Sequence, residues 1–218
     1  MGEDIWMRCP NVVRTNQTVG LEYLTELDRL QVIQKRRQCG DCSSAGSRFT
    51  VKNIYNEKVY FAEEEFSCDC QNSWNVTVVD SYGIPSIHMY RPMVCSCQCQ
   101  PIDVEVHSPP GNLIGSISHE LAWFSSKFKL KNAAGDIMLY INVPFARGRI
   151  GGDVEFKLLG SDEQSVIGKI SKQWTGWFSF ATDRYGVSFP LDLDVSMKAV
   201  VLAASLLIDY TYYDHRHD

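Results

Sequence analysis

The sequence predicts a mainly β fold, a closed antiparallel barrel around a central apolar C-terminal helix, with a short helix near the N-terminus. Three observations carry this. Most of the chain alternates apolar and polar residues in short segments bounded by turn residues, the period of half-buried strands. Two stretches of such segments match each other at a nearly constant offset, and two similar β-meanders close naturally into one barrel. Residues 199–208 are apolar or small on every face, so as a helix they must be surrounded.

Taken in chain order, Gly20 to Leu27 spaces Leu21, Leu24 and Leu27 three apart, as a short helix does, before Leu30 and Val32 resume alternation as a strand. Phe49 and Val51 share a face, a turn follows at Asn53 to Asn56, and Val59 and Phe61 share a face after it, which predicts a hairpin. Ile102, Val104 and Val106 alternate with polar residues up to Ser108-Pro109-Pro110-Gly111, whose prolines stop the ladder and whose glycine allows a tight turn. Another strand follows at Leu113 to Ile117. Arg48-Phe49-Thr50-Val51-Lys52-Asn53 lies over Lys127-Phe128-Lys129-Leu130-Lys131-Asn132, and both lead through a polar turn into Val59-Tyr60-Phe61 and Met138-Leu139-Tyr140, a match that an internal repeat or shared hairpin chemistry would equally produce. Val78-Val79-Asp80-Ser81 then lies over Leu158-Leu159-Gly160-Ser161, and Ile87 over Ile167.

The C-terminal apolar run is bracketed by Lys198 and Asp209 and is rich enough in Leu and Ala to be helical. Residues 199–208 rise about 15 Å as a helix, against a hydrocarbon core of about 30 Å. Extending to Tyr213 gives about 22 Å but carries Asp209 into lipid at about 2.5–3.5 kcal/mol. Ala199, Val200, Leu202, Leu206, Leu207 and Ile208 are therefore expected in a buried central helix, with membrane insertion as the alternative.

At 218 residues, 44% hydrophobic and 22% charged, the chain can bury a full core as one domain. The expected organisation is a short extension at 1–19, the barrel at 20–213 and a polar tail at 214–218. A net charge of −5 gives no general attraction to nucleic acid or anionic lipid, so no specific nucleic-acid partner is expected and any lipid contact must be local, metal-assisted or covalently anchored. Met1-Gly2-Glu3-Asp4-Ile5-Trp6 has no basic region followed by a long apolar run, which predicts a cytosolic compartment and mostly reduced cysteines. No Ser or Thr stands where a myristoylation signal wants one, and the sequons at Asn16 and Asn75 read as chance matches. No nucleophile elbow or phosphate loop occurs, and His119-Glu120 lacks the second histidine of a zinc protease, so no enzyme is expected. His88, His107 and His119 read as ordinary strand or turn residues. Trp123-Phe124, Trp174 and Trp177 read as core or barrel-rim aromatics, with a lipid-interface role as the alternative.

Phe189-Pro190-Leu191-Asp192-Leu193-Asp194-Val195, running into Met197-Lys198-Ala199-Val200 and then Leu207-Ile208-Asp209, resembles the C-terminal signature of the phospholipid scramblases. Gly20-Leu21-Glu22-Tyr23-Leu24, Val59-Tyr60-Phe61-Ala62, Arg91-Pro92, Pro109-Pro110-Gly111, Gly152-Asp153-Val154 and Gly168-Lys169-Ile170-Ser171-Lys172 are similar to further family motifs, in the family order, from Gly20 to Tyr213. The resemblance implies a tubby-like fold, a closed barrel threaded by its C-terminal helix. It also implies ATP-independent, calcium-stimulated, bidirectional movement of membrane phospholipids between leaflets, with calcium-dependent self-association. Family members often carry a proline-rich N-terminal arm; only Pro10 precedes Gly20 here, so SH3 or WW partners are not expected. The rival expectation is a lipidated adaptor or nuclear regulator whose barrel binds proteins or phosphoinositides and scrambles nothing.

The resemblance places a calcium segment over Ala181 to Asp192, with Asp183, Tyr185, Val187, Phe189 and Asp192 at the ligand positions. Calcium takes about six to eight oxygens, several from carboxylates. Here only Asp183 and Asp192 are acids, Ala181 opens the segment, and Arg184 adds a positive charge. Weak calcium binding through the two acids and backbone carbonyls is one reading; Asp183 in a turn, with Asp192 or Asp194 capping the helix, is the other. Cys95, Cys97 and Cys99 point the same way on an extended segment. The resemblance implies thioacylation there, and stable anchoring takes two or more lipid signals. Zinc shared with Cys68 and Cys70, or with Cys39 and Cys42, fits poorly with one-residue gaps; inert thiols are the third reading. Gly168-Lys169-Ile170-Ser171-Lys172-Gln173-Trp174 resembles an unconventional nuclear-import segment of the family, with Gln173 where histidine is usual, which implies an import receptor and a nuclear pool. The structural alternative is a strand with Lys169 and Ser171 on one face and Ile170 and Lys172 on the other. The implied location is the cytoplasmic face of the plasma membrane or an endomembrane, held by the acylated cysteines.

Overall fold

A computed structural model describes residues 5–11, 19–35, 46–65, 74–91, 103–121, 126–144, 153–173 and 182–213. A 3-10 helix at Glu22–Glu26 precedes β1 (Arg29–Lys35), β2 (Arg48–Lys52), β3 (Lys58–Glu65), β4 (Asn75–Val79), β5 (Pro85–Tyr90) and β6 (Asp103–His107). Then come β7 (Leu113–Leu121), β8 (Ser126–Asn132), β9 (Ile137–Val143), β10 (Val154–Leu159), β11 (Val166–Gln173), β12 (Thr182–Ser188) and the helix α1 (Val195–Tyr212). Each strand pairs antiparallel with its sequence neighbours, and β1 pairs with β12 from Arg29↔Ser188 to Lys35↔Thr182, so the sheet closes and leaves no edge. The first helix is thus a 3-10 turn, with Leu21, Leu24 and Leu27 buried beneath the barrel.

Alternation sorts the strands into an apolar interior and a charged exterior. On β8, Phe128 and Leu130 are fully buried while Lys127, Lys129 and Lys131 stand outside; on β10, Phe156 and Leu158 face in while Glu155 and Lys157 face water. A transmembrane barrel carries the opposite pattern, apolar outward and polar inward. This wall is built to face water.

Five hairpins share one design. In each, the outgoing strand carries an extra residue just after the turn: Val59, Ser86, Ile114, Met138 and Ile167 have no partner in the register of β2–β3, β4–β5, β6–β7, β8–β9 and β10–β11. In four of the turns a side-chain oxygen satisfies two backbone amides. Asn53 Oδ1 accepts from the N–H of Tyr55 and Glu57, and Asp80, Asn132 and Asp162 do the same in their turns. Bonds from Ser165 and Gln164 hold the Asp162 carboxyl down at about 2. The internal repeat is therefore structural: β2 to β5 correspond to β8 to β11. One detail of the sequence alignment shifts, because the bulges make Ile87 equivalent to Gly168, one residue beyond Ile167. The bulge also corrects the first hairpin. Tyr60 and Ala62 face the core and Phe61 is half-exposed, while Val59 is the inserted residue, covered where Met7 N–H donates to Lys58 O and Lys58 N–H to Ile5 O.

The helix fills the lumen. Asp194 caps it, its carboxylate accepting from the N–H of Ser196 and Met197, and every residue from Met197 to Asp209 is buried. The helix is longer than the apolar run, about 27 Å over its residues, so length alone does not separate it from a membrane span. Enclosure does. Lys198 and Asp209, which bracket the apolar run, are each 1% exposed inside the barrel.

Candidate functional site

The two ends of the barrel differ in kind. At the end where α1 begins, short turns close the hairpins and the 3-10 helix covers the core. Here the Lys198 Nζ donates to the backbone carbonyls of Leu24, Leu27 and Leu191 at 2.9, 2.9 and 2.7 Å. Burial pushes this ammonium's pKa down, against Asp28 and Asp192, which push it up. Its hydrogens are spent on three backbone carbonyls, so this end is structural.

At the other end, where β1 finishes and α1 terminates, polar and aromatic side chains separate the apolar lumen from the outside. The Tyr185 hydroxyl donates to the buried carboxylate of Asp209. Lys172 lies over the rings of Tyr213 and Tyr185, with Nζ 3.5 and 5.4 Å from their centres. Across the lumen, His119 Nε2, Ser126 Oγ and Tyr212 Oη stand 2.7 to 2.8 Å apart, joining β7, β8 and the last turn of α1. The His119 ring stacks on Phe128 at 4.4 Å, and Trp74 meets Tyr210 at 5.5 Å. Tyrosine and tryptophan suit such a place, since each joins an apolar ring to a polar tip. The connections β1–β2, β3–β4, β5–β6, β7–β8, β9–β10 and β11–β12 all leave and return at this end.

Cys95, Cys97 and Cys99 lie outside the described residues, between β5, which ends at Tyr90, and β6, which begins at Asp103. So do Cys39, Cys42, Cys68, Cys70, Trp123, Phe124, Trp174 and Trp177. Among the described residues no three His, Cys, Asp or Glu side chains stand close enough to hold a metal ion. Gly168 to Lys172 belong to β11, held on both sides by β10 and β12. Ile170 is fully buried, Lys169 bonds Glu155 outside, and Lys172 faces the polar end, the alternation expected of a strand. Gly168 serves packing: a Cβ there would lie 2.1 Å from the Ser188 carbonyl oxygen.

The calcium segment is extended, not curled. Residues 183–188 lie in β12 between β1 and β11, so their carbonyls belong to the ladders, and the strand covers about 17 Å. Tyr185, Val187 and Phe189 point into the barrel, and Asp192 is exposed in the turn beyond. Calcium requires its oxygens at about 2.3–2.6 Å from one point. Asp183 stands on this strand and Asp192 in the turn beyond it.

Sequence reasoning did not find the contacts of Lys198, Asp209 and His119, because each includes a partner far away in the chain: Leu24 and Leu27, Tyr185, and Tyr212. The available signal, for Lys198 and Asp209, was a single charge at each edge of an apolar run, which reads equally as a boundary or as a buried, satisfied group.

A family model described as Scramblase matches residues 7–215. The chain is 34% identical over 223 residues to phospholipid scramblase 1 of Homo sapiens, covering 96% of this chain and 70% of that relative. It is 31% identical over 223 residues to phospholipid scramblase 2 of Homo sapiens, covering 96% and 75%. Phospholipid scramblase family member 5 of Homo sapiens is 31% identical over 210 residues, covering 90% and 78%. No solved structure matches the chain.

Proposed function

The chain belongs to the scramblase family, and from that premise we propose that it promotes ATP-independent, bidirectional movement of phospholipids between membrane leaflets, working from the cytoplasmic surface. The observation that carries this reading is the match over nearly the whole chain to phospholipid scramblases. The fold constrains the mechanism. With α1 buried in the lumen and lysines on the outer face of β8, this reading routes no headgroup through the barrel and keeps the described wall out of hydrocarbon. The protein therefore acts by disturbing the leaflet it rests on, through the polar, tyrosine-rich end. Its acidic balance leaves attachment to a local device. Acylation of Cys95, Cys97 and Cys99, in the β5–β6 connection, is that device. Hydroxylamine-sensitive labelling by a palmitate analogue is expected in the wild type and lost when all three become serine; persistence in the triple variant contradicts it.

Calcium stimulation rests on the family relationship alone, and a site for it needs ligands beyond the strand from Asp183 to Ser188. The test is reconstitution of the purified full chain into vesicles carrying fluorescent phospholipid in both leaflets, followed by a membrane-impermeant quencher. Quenching beyond the outer-leaflet share, without ATP and faster with calcium, supports the reading. Vesicles that bind the protein but quench like protein-free ones, with or without calcium, sink it in favour of an adaptor.

A further inference from the structure

The end that Lys198 ties together from within carries exposed apolar side chains on its outside. Among the described residues, all the exposed large apolar side chains lie at this end, on the hairpin turns, at the strand ends beside them or on the N-terminal segment alongside. They gather where the β4–β5 and β6–β7 turns meet: Tyr82, Ile84, Pro85, Pro110 and Leu113 are exposed there, with Val19 beside them. Hydrogen bonds fix this cluster. The Ser108 hydroxyl lies 2.7 Å from the Ser86 carbonyl oxygen and 3.4 Å from that of Val19. Ser108 N–H donates to Asn112 O, and the Ser86 hydroxyl donates to Ile84 O.

Turn chemistry does not call for these side chains. Asp80 Oδ1 accepts from the N–H of Tyr82 and Ile84, and in the β8–β9 turn Asn132 Oδ1 accepts in the same pattern from Ala134 and Asp136. Ala134 and Asp136 thus stand where Tyr82 and Ile84 do, so an equivalent turn forms with a methyl group and a carboxylate at those positions. Tyr82 and Ile84, 80% and 58% exposed, leave most of their surface in water. Charge is unevenly placed as well. Across residues 5–8, 19–29, 52–58, 80–85, 108–113, 131–138, 160–166 and 189–198, which make up this end, ten carboxylates stand against six cations, one of them the buried Lys198. That surplus is most of the chain's net charge of −5.

Clustered apolar side chains held on stapled turns mark an interaction surface, and tyrosine is a common anchor at the centre of one. The acidic surroundings select its occupant: they repel an anionic leaflet or a nucleic acid and attract a positively charged chain. We infer that this end docks a basic amphipathic segment of another protein. Its apolar side chains cover Tyr82, Ile84 and Leu113, and its lysines or arginines face the surrounding carboxylates. The surface stands whether or not the protein moves lipids.

The probe is an amphipathic helical peptide of leucine and lysine, followed by fluorescence anisotropy as the full chain is added. A leucine–glutamate peptide of the same pattern and a serine–lysine peptide of the same charge are the controls. Saturable binding of the leucine–lysine peptide alone is expected, weakening as salt rises. Tyr82→Ser with Ile84→Ser should weaken it about tenfold or more, as loss of interface anchors does, at an unchanged melting temperature. With a diazirine-bearing leucine in the peptide, adducts are expected on residues 82–85 and 110–113 of the wild type; should the double variant not fold, this map decides. No saturable binding overturns the inference, and so does binding that the folded double variant leaves intact. Equal binding of the serine–lysine peptide means charge alone and overturns it, as do adducts confined to other parts of the chain. Sedimentation with phosphatidylcholine–phosphatidylserine vesicles that the double variant abolishes would assign the patch to lipid; a concentration-dependent dimer that it abolishes would assign the patch to a second copy. Either result overturns it. Lipid movement measured in vesicles without peptide is an independent readout, so failure of this surface and failure of the scrambling proposal are distinguishable.

Discussion

Lys198 illustrates how single residues hold this molecule together. An ammonium buried at the start of a lumen-filling helix is costly unless its hydrogens are used, and here its Nζ reaches three carbonyls, two from the segment leading into β1 and one from the turn before the helix. It thus ties the chain's two distant ends to one point. Lys198→Met keeps the volume but removes three hydrogen bonds from a charged donor, and should cost about 3 kcal/mol or more in urea unfolding. A loss below about 1 kcal/mol would mean that water replaces the ammonium. Lys198 and Asp209 also mark the limit of what the residues reveal in isolation. Both were visible as charges bracketing an apolar run, but a charge at the end of a buried helix and one inside it look alike until the partner is known, and Tyr185 lies on β12.

Elements were more legible than residues. Strand alternation is imposed by a wall with one apolar face, so β1, β6, β8 and the turn at Ser108 to Gly111 could be anticipated, as could the likeness of β2–β3 to β8–β9. The phase within a strand was not safe. One inserted residue after each turn reverses which side chains face in, and that is why Val59 and Phe61 were expected on one buried face. The start of α1 was legible as a choice between Asp192 and Asp194, and Asp194 is the cap, upstream of the apolar run. Gly168 belongs to this scale. It resembled part of an import signal, yet it lies where β11 meets the end of β12 with no room for a methyl group. Gly168→Ala should destabilise by about 1–3 kcal/mol, read as a lower thermal midpoint with correspondingly faster exchange of the β11 amides. An unchanged midpoint would show that the two strands can separate at no cost.

For the whole molecule, the central claim is that a water-facing barrel encloses an apolar helix which could otherwise be mistaken for an anchor. Composition marked the helix as apolar all round, and closure of the sheet accounts for where it sits. Enclosure makes any action on lipid a surface event. The direct measurement is photolabelling of the vesicle-bound full chain by a phospholipid with a diazirine in its acyl chain, followed by peptide mapping. Adducts are predicted on the connections at the tyrosine-rich end and none on residues 199–208. Adducts along 199–208 in the folded, active protein would mean that the helix leaves the barrel for the bilayer, contradicting the account.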